Sequence, residues 1–422
     1  MSGVSENAVD PWLGRLPAGW SIKRLGALGA LVKGRGGSKE DNRDAGVPVV
    51  RYGDLYTKFD TTIAAPVAFV SEEDAARYTP LPMHSIVFAA SGESAEDIGK
   101  SAMSLLAEPA VVGGDAVVFH PSHEIDPLYL AYALESSPLR AYKAIRSTGF
   151  TVVHISAGKL KTLPIPIPPL AKQRAIAHYL DRETVRIDTL IEEQQRLIEM
   201  LRERRQAVAM HAILQSTGSA TDKLGRTARI GNGSTPRRDS AIYWRGGHIP
   251  WLNSSVVNKA RVSGAEQFVT AVALRECHLP VVAPGSVLVG LTGQGKTRGM
   301  ATILDIEATV NQHVAYVTPD RSRWLPEYLL WSLRASYDEL RRLSEENGST
   351  KGGLTCEALK QFRLAVPPLD EQRRIAAYLD GQTAKIDTLI VETEGFIELA
   401  RERRAALITA AVTGQIDVRE AA

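Results

Sequence analysis

Cysteine is nearly missing from this chain: 422 residues contain only Cys277 and Cys356, with no second cysteine or histidine at metal-ligand spacing. That excludes a disulfide framework and a zinc site. Long apolar runs are missing too, since no stretch approaches the roughly 18 residues of a membrane span. The opening MSGVSENAVDPWLGRLP has no basic patch followed by an apolar run, so a cytoplasmic protein without membrane contact is expected. A large excess of one charge is absent as well. The formal net charge is +2, which excludes a uniformly basic nucleic-acid protein. Charge is uneven, however: residues 218–362 hold 18 Lys/Arg against 13 Asp/Glu, and residues 1–163 hold 16 against 18. Any DNA binding must come from local clusters. With 44% apolar and 23% charged residues, a chain of this length suits two to four globular domains.

What is present, above all, is repetition. PPLAKQRAIAHYLD from Pro168 to Asp181 recurs as PPLDEQRRIAAYLD from Pro367 to Asp380, and RIDTLI from Arg186 recurs as KIDTLI from Lys385. Glu203 to Arg205 returns at Glu402 to Arg404, always 199 residues on. The same offset pairs Leu25-Gly26 with Leu224-Gly225, Tyr129 with Tyr328, and Gly149 with Gly348. The chain is a tandem duplication of a unit of about 200 residues.

Each copy begins with a Gly- and Pro-punctuated region holding strand-like runs: VPVVRY, SIVFAA and AVVFHP in the first, SVLVGL and HVAYVTP in the second. Short helices are expected around PLYLAYALESSPLRAYKAI and PEYLLWSLRASYDELRRL. Each region ends in a Pro-rich extended stretch, LPIPIPPL or RLAVPPL, and a long helix follows. The seam of the first helix is read at Ile176, Leu180, Ile187, Leu190, Leu197, Leu201 and Val208, interrupted at Glu183, Gln194 and Arg204. That of the second is read at Ile375, Leu379, Ile386, Leu389, Phe396, Ala400 and Leu407, interrupted at Gln382, Thr393 and Arg403. These alternating spacings of three and four suit coiled-coil packing, and about 40 residues give a helix roughly 60 Å long. The second helix can cover the first by running back along it. The expected fold is α+β: two tandem related globular domains, mixed and β-rich, separated by an antiparallel pair of long coiled-coil helices with approximate two-fold symmetry. The expected boundaries are 1–163 and 218–362 for the globular domains, 164–217 and 363–422 for the helical regions.

The repeated PPL-x-x-Q-R-x-I-A-x-Y-L-D segment with its long helix resembles the specificity (S) subunits of type I restriction-modification enzymes. The likeness covers essentially the full chain. It departs in copy one, where Ala171-Lys172 stands in place of the acidic residue usual before the Gln, as in Asp370-Glu371 of copy two. The resemblance implies two target-recognition domains, each reading half of a split double-stranded DNA sequence, and a helical spacer that docks two modification (methyltransferase) subunits. Restriction (translocase-nuclease) subunits would join for cleavage. It implies no cofactor in this chain; S-adenosylmethionine, ATP and magnesium would serve partner subunits. The residues agree with a non-catalytic role. The two Pro-Pro pairs follow Ile167 and Val366, not the Asn or Asp of amino-methyltransferases, and neither a Ser-His-Asp spacing, an H-E-x-x-H nor a carboxylate-Lys nuclease cluster is legible.

Candidate DNA contacts are Lys33, Arg35 and Lys39 in VKGRGGSK, Arg51, and the turn from Ser91 to Lys100. In copy two they are Arg237 and Arg238 in GNGSTPRR, Asn253, Gln294, Lys296 and Arg298, and Lys351. Lys, Arg, Asn and Gln neutralise phosphates or make paired hydrogen bonds to base edges; each singly also suits a solvated loop. One motif points elsewhere. GLTGQGKT at 290–297 fits a phosphate-binding loop by its letters, which would make a nucleotide hydrolase centred on Lys296. The following RGMATILD reads as a returning strand, however, and not as the helix that such a loop needs. A coiled-coil scaffold for other proteins is the remaining alternative.

Overall fold

The computed structural model describes residues 10–37, 39–149, 151–215, 220–293, 295–346 and 353–418. The chain divides into two compact units, one of Met1–Gln194 with Gly395–Ala422 and the other of Gln195–Glu394. Each unit therefore combines one globular domain with part of both long helices, so the division falls within the helices and not at their ends.

In unit one a five-stranded sheet has the order Gly29–Lys33, Ala116–Pro121, Ile86–Ala89, Ser101–Ser104, Thr62–Ile63, with only the last pair parallel. Ile86, Phe88, Val117 and Phe119 pack on helix Pro127–Glu135 through Tyr129, Leu130 and Leu134. The alternate residues Val87, Ala89, Ala116 and Val118 pack on the other side with Leu55, Ile63, Leu81 and Val112. Burial on both faces explains why these strands read as unbroken apolar runs. Unit two repeats the order as Ala228–Asn232, Val314–Pro319, Val287–Gly290, Ala301–Leu304, Arg261–Val262. Val287, Val289, Ala315 and Val317 face Tyr328, Leu329 and Leu333, while Leu288 and Val314 join Leu252, Val262 and Val310. The duplication read from the sequence is thus a duplication of topology. In each unit the Pro-rich stretch pairs with the domain's first strand, Pro164–Ile167 with Ser21–Arg24 and Arg363–Ala365 with Thr221–Lys223.

The long helices run Leu170–Gln215 and Leu369–Val412, 46 and 44 residues. Prolines before each helix cost nothing, because the first helical N–H groups lack partners anyway. Gly414, in the left-handed region at φ 72°, closes the second helix, with Gln415 N–H donating to Ala410 O at 2.8 Å. Within each unit the helices are antiparallel. In unit one Ile176 and Leu180 share a core with Ile408 and Val412, and in unit two Ile375 and Leu379 share one with Ala209 and Ile213.

The seam shares Leu180, Ile187, Leu201 and Val208 with the expected pattern but leans to its other side between them. Ile191 and Ile198 are 9% and 6% exposed, whereas Leu190 and Leu197 are each 37% exposed. Likewise Ile397 is 5% exposed against 43% for Phe396, and Leu389 is 48% exposed. Leu190, Leu197, Leu389 and Phe396 therefore flank the seam. Each sits beside an isoleucine, so spacing admits two phases; buried Thr184 and Thr383 take the four-residue step that selects the second.

Two joints tie each globular domain to its helices and one ion pair ties the helices to each other, all at positions 199 residues apart. Buried Gln173 accepts from Asp126 N–H at 2.8 Å and donates to Pro168 O at 2.9 Å. Buried Gln372 accepts from Leu325 N–H at 2.7 Å and donates to Pro367 O and Arg323 O at 2.8 Å each. Tyr132 donates to Asp181 and meets Thr184, and Trp331 Nε1–H donates to Asp380 at 2.8 Å. Finally Arg404 pairs with Asp188 at 2.9 Å and Arg205 with Asp387 at 2.8 Å.

Candidate nucleic-acid interface

Antiparallel pairing decides which loops meet. In unit one Lys33 lies opposite Val117 and Ala89 opposite Ala116, so the end of the first strand, the end of the third and the start of the second share one end of the sheet. Ser91–Gly92 pairs with Val153–His154, and His154 bridges Thr148, which brings these residues to that end. Gly113 N–H donates to Val50 O, placing Arg51 there too. Unit two matches: Asn232 lies opposite Ala315, Gly290 opposite Val314, Leu354 N–H donates to Leu291 O and Asn311 N–H to Leu252 O. Candidate loops scattered over the sequence thus gather at one sheet end in each unit. The backbone at this end is built from glycine where crowding requires it. Gly36 and Gly37 have φ of 84° and 89°, and a Cβ on Gly37 would strike the Tyr78 ring.

The candidates differ in how their own fold uses them. Lys33, Arg35 and Lys296 are exposed, and Arg237 is exposed in an ion pair with Asp239 at 3.1 Å. Arg238 lies over the Trp244 and Trp251 rings at 4.5 and 4.8 Å and donates to Gln267. Arg51 donates to Asn42, and Asn253 Oδ1 caps the turn Ser254–Asn258 by accepting from Ser255 N–H at 2.9 Å. Lys100 stands 3.6 Å from Asp60, while Arg298 is buried with its guanidinium 3.0 Å from Glu345. The Lys39 side chain, Gln294 and Lys351 lie outside the described residues.

GLTGQGKT joins two antiparallel strands, Val287–Gly290 and Ala301–Leu304, with Val289 opposite Ala301. No helix starts after Lys296; the carbonyls of Gly295 and Lys296 accept from Arg341 and the Tyr337 hydroxyl. The returning strand expected from RGMATILD is present, and the helix N-terminus that would hold phosphates is not.

The structure also assembles polar residues that sequence reasoning missed. In unit one Ser91 Oγ lies 2.9 Å from His154 Nδ1 and 3.2 Å from Asp115 Oδ1. These three residues line a depression of about 410 Å³ with Lys33 and Lys159. The serine stands between the other two, whereas a hydrolase would set the histidine between serine and carboxylate. In unit two Thr292 Oγ1 lies 3.0 Å from His313 Nδ1, Gln312 Nε2 lies 3.1 Å from His313 Nε2, and Thr235 donates to Gln312 Oε1 at 2.7 Å. The Gly-Gly-Asp and Asn-Gln-His just before the second strands of the two sheets were the available signal. Among the described residues, no group of three or more His, Cys, Asp or Glu could hold a metal ion. No described helix is long and apolar enough to cross a membrane.

Two copies of one β-rich domain, each joined to paired long helices and gathering polar loops at one sheet end, define a duplicated two-domain protein. Residues 17–200 and 219–392 both match the type I restriction modification DNA specificity domain, and the chain belongs to that family. It is 23% identical over 427 residues to the type I restriction enzyme StySPI specificity subunit of Salmonella potsdam, spanning 96% of this chain and 90% of the other. A structure described as the basis of complex assembly and conformational transition of the type I R-M system superposes with a TM-score of 0.69 at 18% identity, covering 95% of this chain and all of that one. The crystal structure of the HsdS subunit from Thermoanaerobacter tengcongensis gives 0.51 at 19% identity, covering 95% and 98%. As a specificity subunit the chain recognises DNA sequence for a type I restriction-modification complex and is not its catalyst.

Proposed function

We propose that each unit applies the loop-bearing end of its central sheet to one duplex segment, so that one chain reads a two-part, asymmetric target. Segments 1–163 and 218–362 are the readers; 164–217 and 363–422 fix the unread spacer and dock two modification subunits. S-adenosylmethionine, ATP and magnesium act on modification and restriction partners. The observation that carries this reading is the gathering, in both units, of basic, amide and hydroxyl side chains at the same strand ends. Such side chains are the ones that contact phosphates and base edges, and diverged sets in two copies suit two different half-sites.

The test is duplex binding by the full chain with its modification partner. Affinity is expected to fall steeply with salt, as released counterions require, and to drop when one or two base pairs are added to the spacer. A protein scaffold would show neither effect, and indifference to spacer length alone would remove the ruler role.

A further inference from the structure

Strand register makes the two sheet ends comparable residue by residue. Lys33 and Asn232 close equivalent edge strands, and Gly114-Asp115 and Gln312-His313 precede equivalent second strands. Ser91 and Thr292 are equivalent hydroxyls, and each meets a histidine Nδ1, at 2.9 and 3.0 Å. Yet His154 comes from a strand near the end of its domain, while His313 directly precedes the second strand of its sheet. The same hydroxyl-imidazole pair is reached from two places in the chain. Around that shared pair the chemistry diverges.

In unit one the hydroxyl has a single proton, and Asp115 Oδ1 can only accept it, so His154 Nδ1 carries a hydrogen and donates to Ser91. Asp115 is exposed and forms no ion pair with a described residue, and Lys33 and Lys159 line the same depression. In unit two Thr235 fixes the amide of Gln312 by donating to its Oε1, which turns Nε2 toward His313. Gln312 and Asn232 are both exposed amides, and Asn232 Nδ2 donates to the backbone carbonyl of Gln312 at 3.2 Å.

An exposed carboxylate without an ion-pair partner is repelled by a polyanion unless it meets a donor, and in the major groove the cytosine N4 amino group is one; lysine donates to guanine O6 and N7 on the partner base. An amide both donates and accepts, which matches adenine N6 and N7. We propose that the two sheet ends carry different base codes, with Lys33 and Asp115 reading a G·C pair in one half-site and Asn232 and Gln312 reading the adenine of an A·T pair in the other. This rests on the reading that these sheet ends face DNA.

The experiment maps methylated sites in cells carrying the full chain with its modification partner, for the wild type and for Asp115→Asn, Lys33→Ala, Gln312→Ala and Asn232→Ala. The wild type is expected to give a two-part motif with an invariant G·C pair in one half and an invariant A·T pair in the other. The Asp115 and Lys33 variants relax that G·C pair, with discrimination falling roughly tenfold or more, and leave the other half unchanged; the Gln312 and Asn232 variants do the converse. A motif that stays invariant in all four variants overturns the proposal, as does relaxation in both halves or at the opposite kind of pair. All four side chains are exposed, and thermal melting of each purified chain shows whether it folds. A variant that melts like the wild type but methylates nowhere also overturns the assignment, because losing a base reader relaxes choice. If one variant of a pair is unfolded, the other decides for that unit. No two-part motif in the wild type would instead overturn the proposed function on which this rests.

Discussion

Gln173 and Gln372 are the Gln of the repeated PPL-x-x-Q-R segment, and their burial explains why that position needs an amide. Each accepts from the backbone N–H just before a domain helix and donates to the proline carbonyl before a long helix. Only a side chain with both a donor and an acceptor closes the joint. Gln173→Ala or Gln372→Ala strands buried backbone groups and is expected to cost about 1–3 kcal/mol, read by urea unfolding. His120 supports a pH prediction. Burial holds its pKa below the ordinary value, and Ser85 Oγ lies 3.0 Å from its Nδ1. The unfolded chain therefore takes up its proton first as pH falls, so stability is full above the unfolded pKa and declines below it toward the folded one. Between about pH 7.5 and about pH 5.5, the wild type should lose more melting temperature than His120→Gln.

At the scale of elements, the long helices were legible in the sequence and the phase of their seam was not. Both candidate phases alternate three and four, and both place apolar residues along the helix. What separates them is whether Leu197 or Ile198 faces the other helix, which depends on atoms almost 200 residues away in the chain. Ile198→Ala is expected to cost roughly 2–4 kcal/mol as a buried truncation and Leu197→Ala clearly less, compared by denaturant midpoint. Equal losses would contradict the observed phase. The strands were easier: IVFA and AVVFHP form as read because both faces of the sheet are covered.

At the scale of the whole molecule, the duplication makes function modular. Exchanging residues 1–163 for the corresponding part of another specificity subunit is expected to change one half of the methylated motif and leave the other intact. Simultaneous change in both halves would contradict two separate readers. The exchange keeps Gln173, Asp181 and Thr184 with the helix, so the incoming domain must supply an aromatic equivalent to Tyr132 to complete the joint. A donor domain without it should give a less stable chain with the same motif change, read by melting temperature and site mapping together.

By itself the sequence determined the tandem copies, the strand and helix order and the paired helices, because these follow from local periodicity and from the residue types present. Only the tertiary structure decided which basic residues are free and which are spent. Arg298 and Lys33 look alike as letters, yet one is buried against Glu345 and the other ends a strand in solvent. Nor does any spacing announce that His154 and His313 meet equivalent hydroxyls. Proximity across a sheet end is set by strand pairing between distant segments, and side-chain availability by what packs around it.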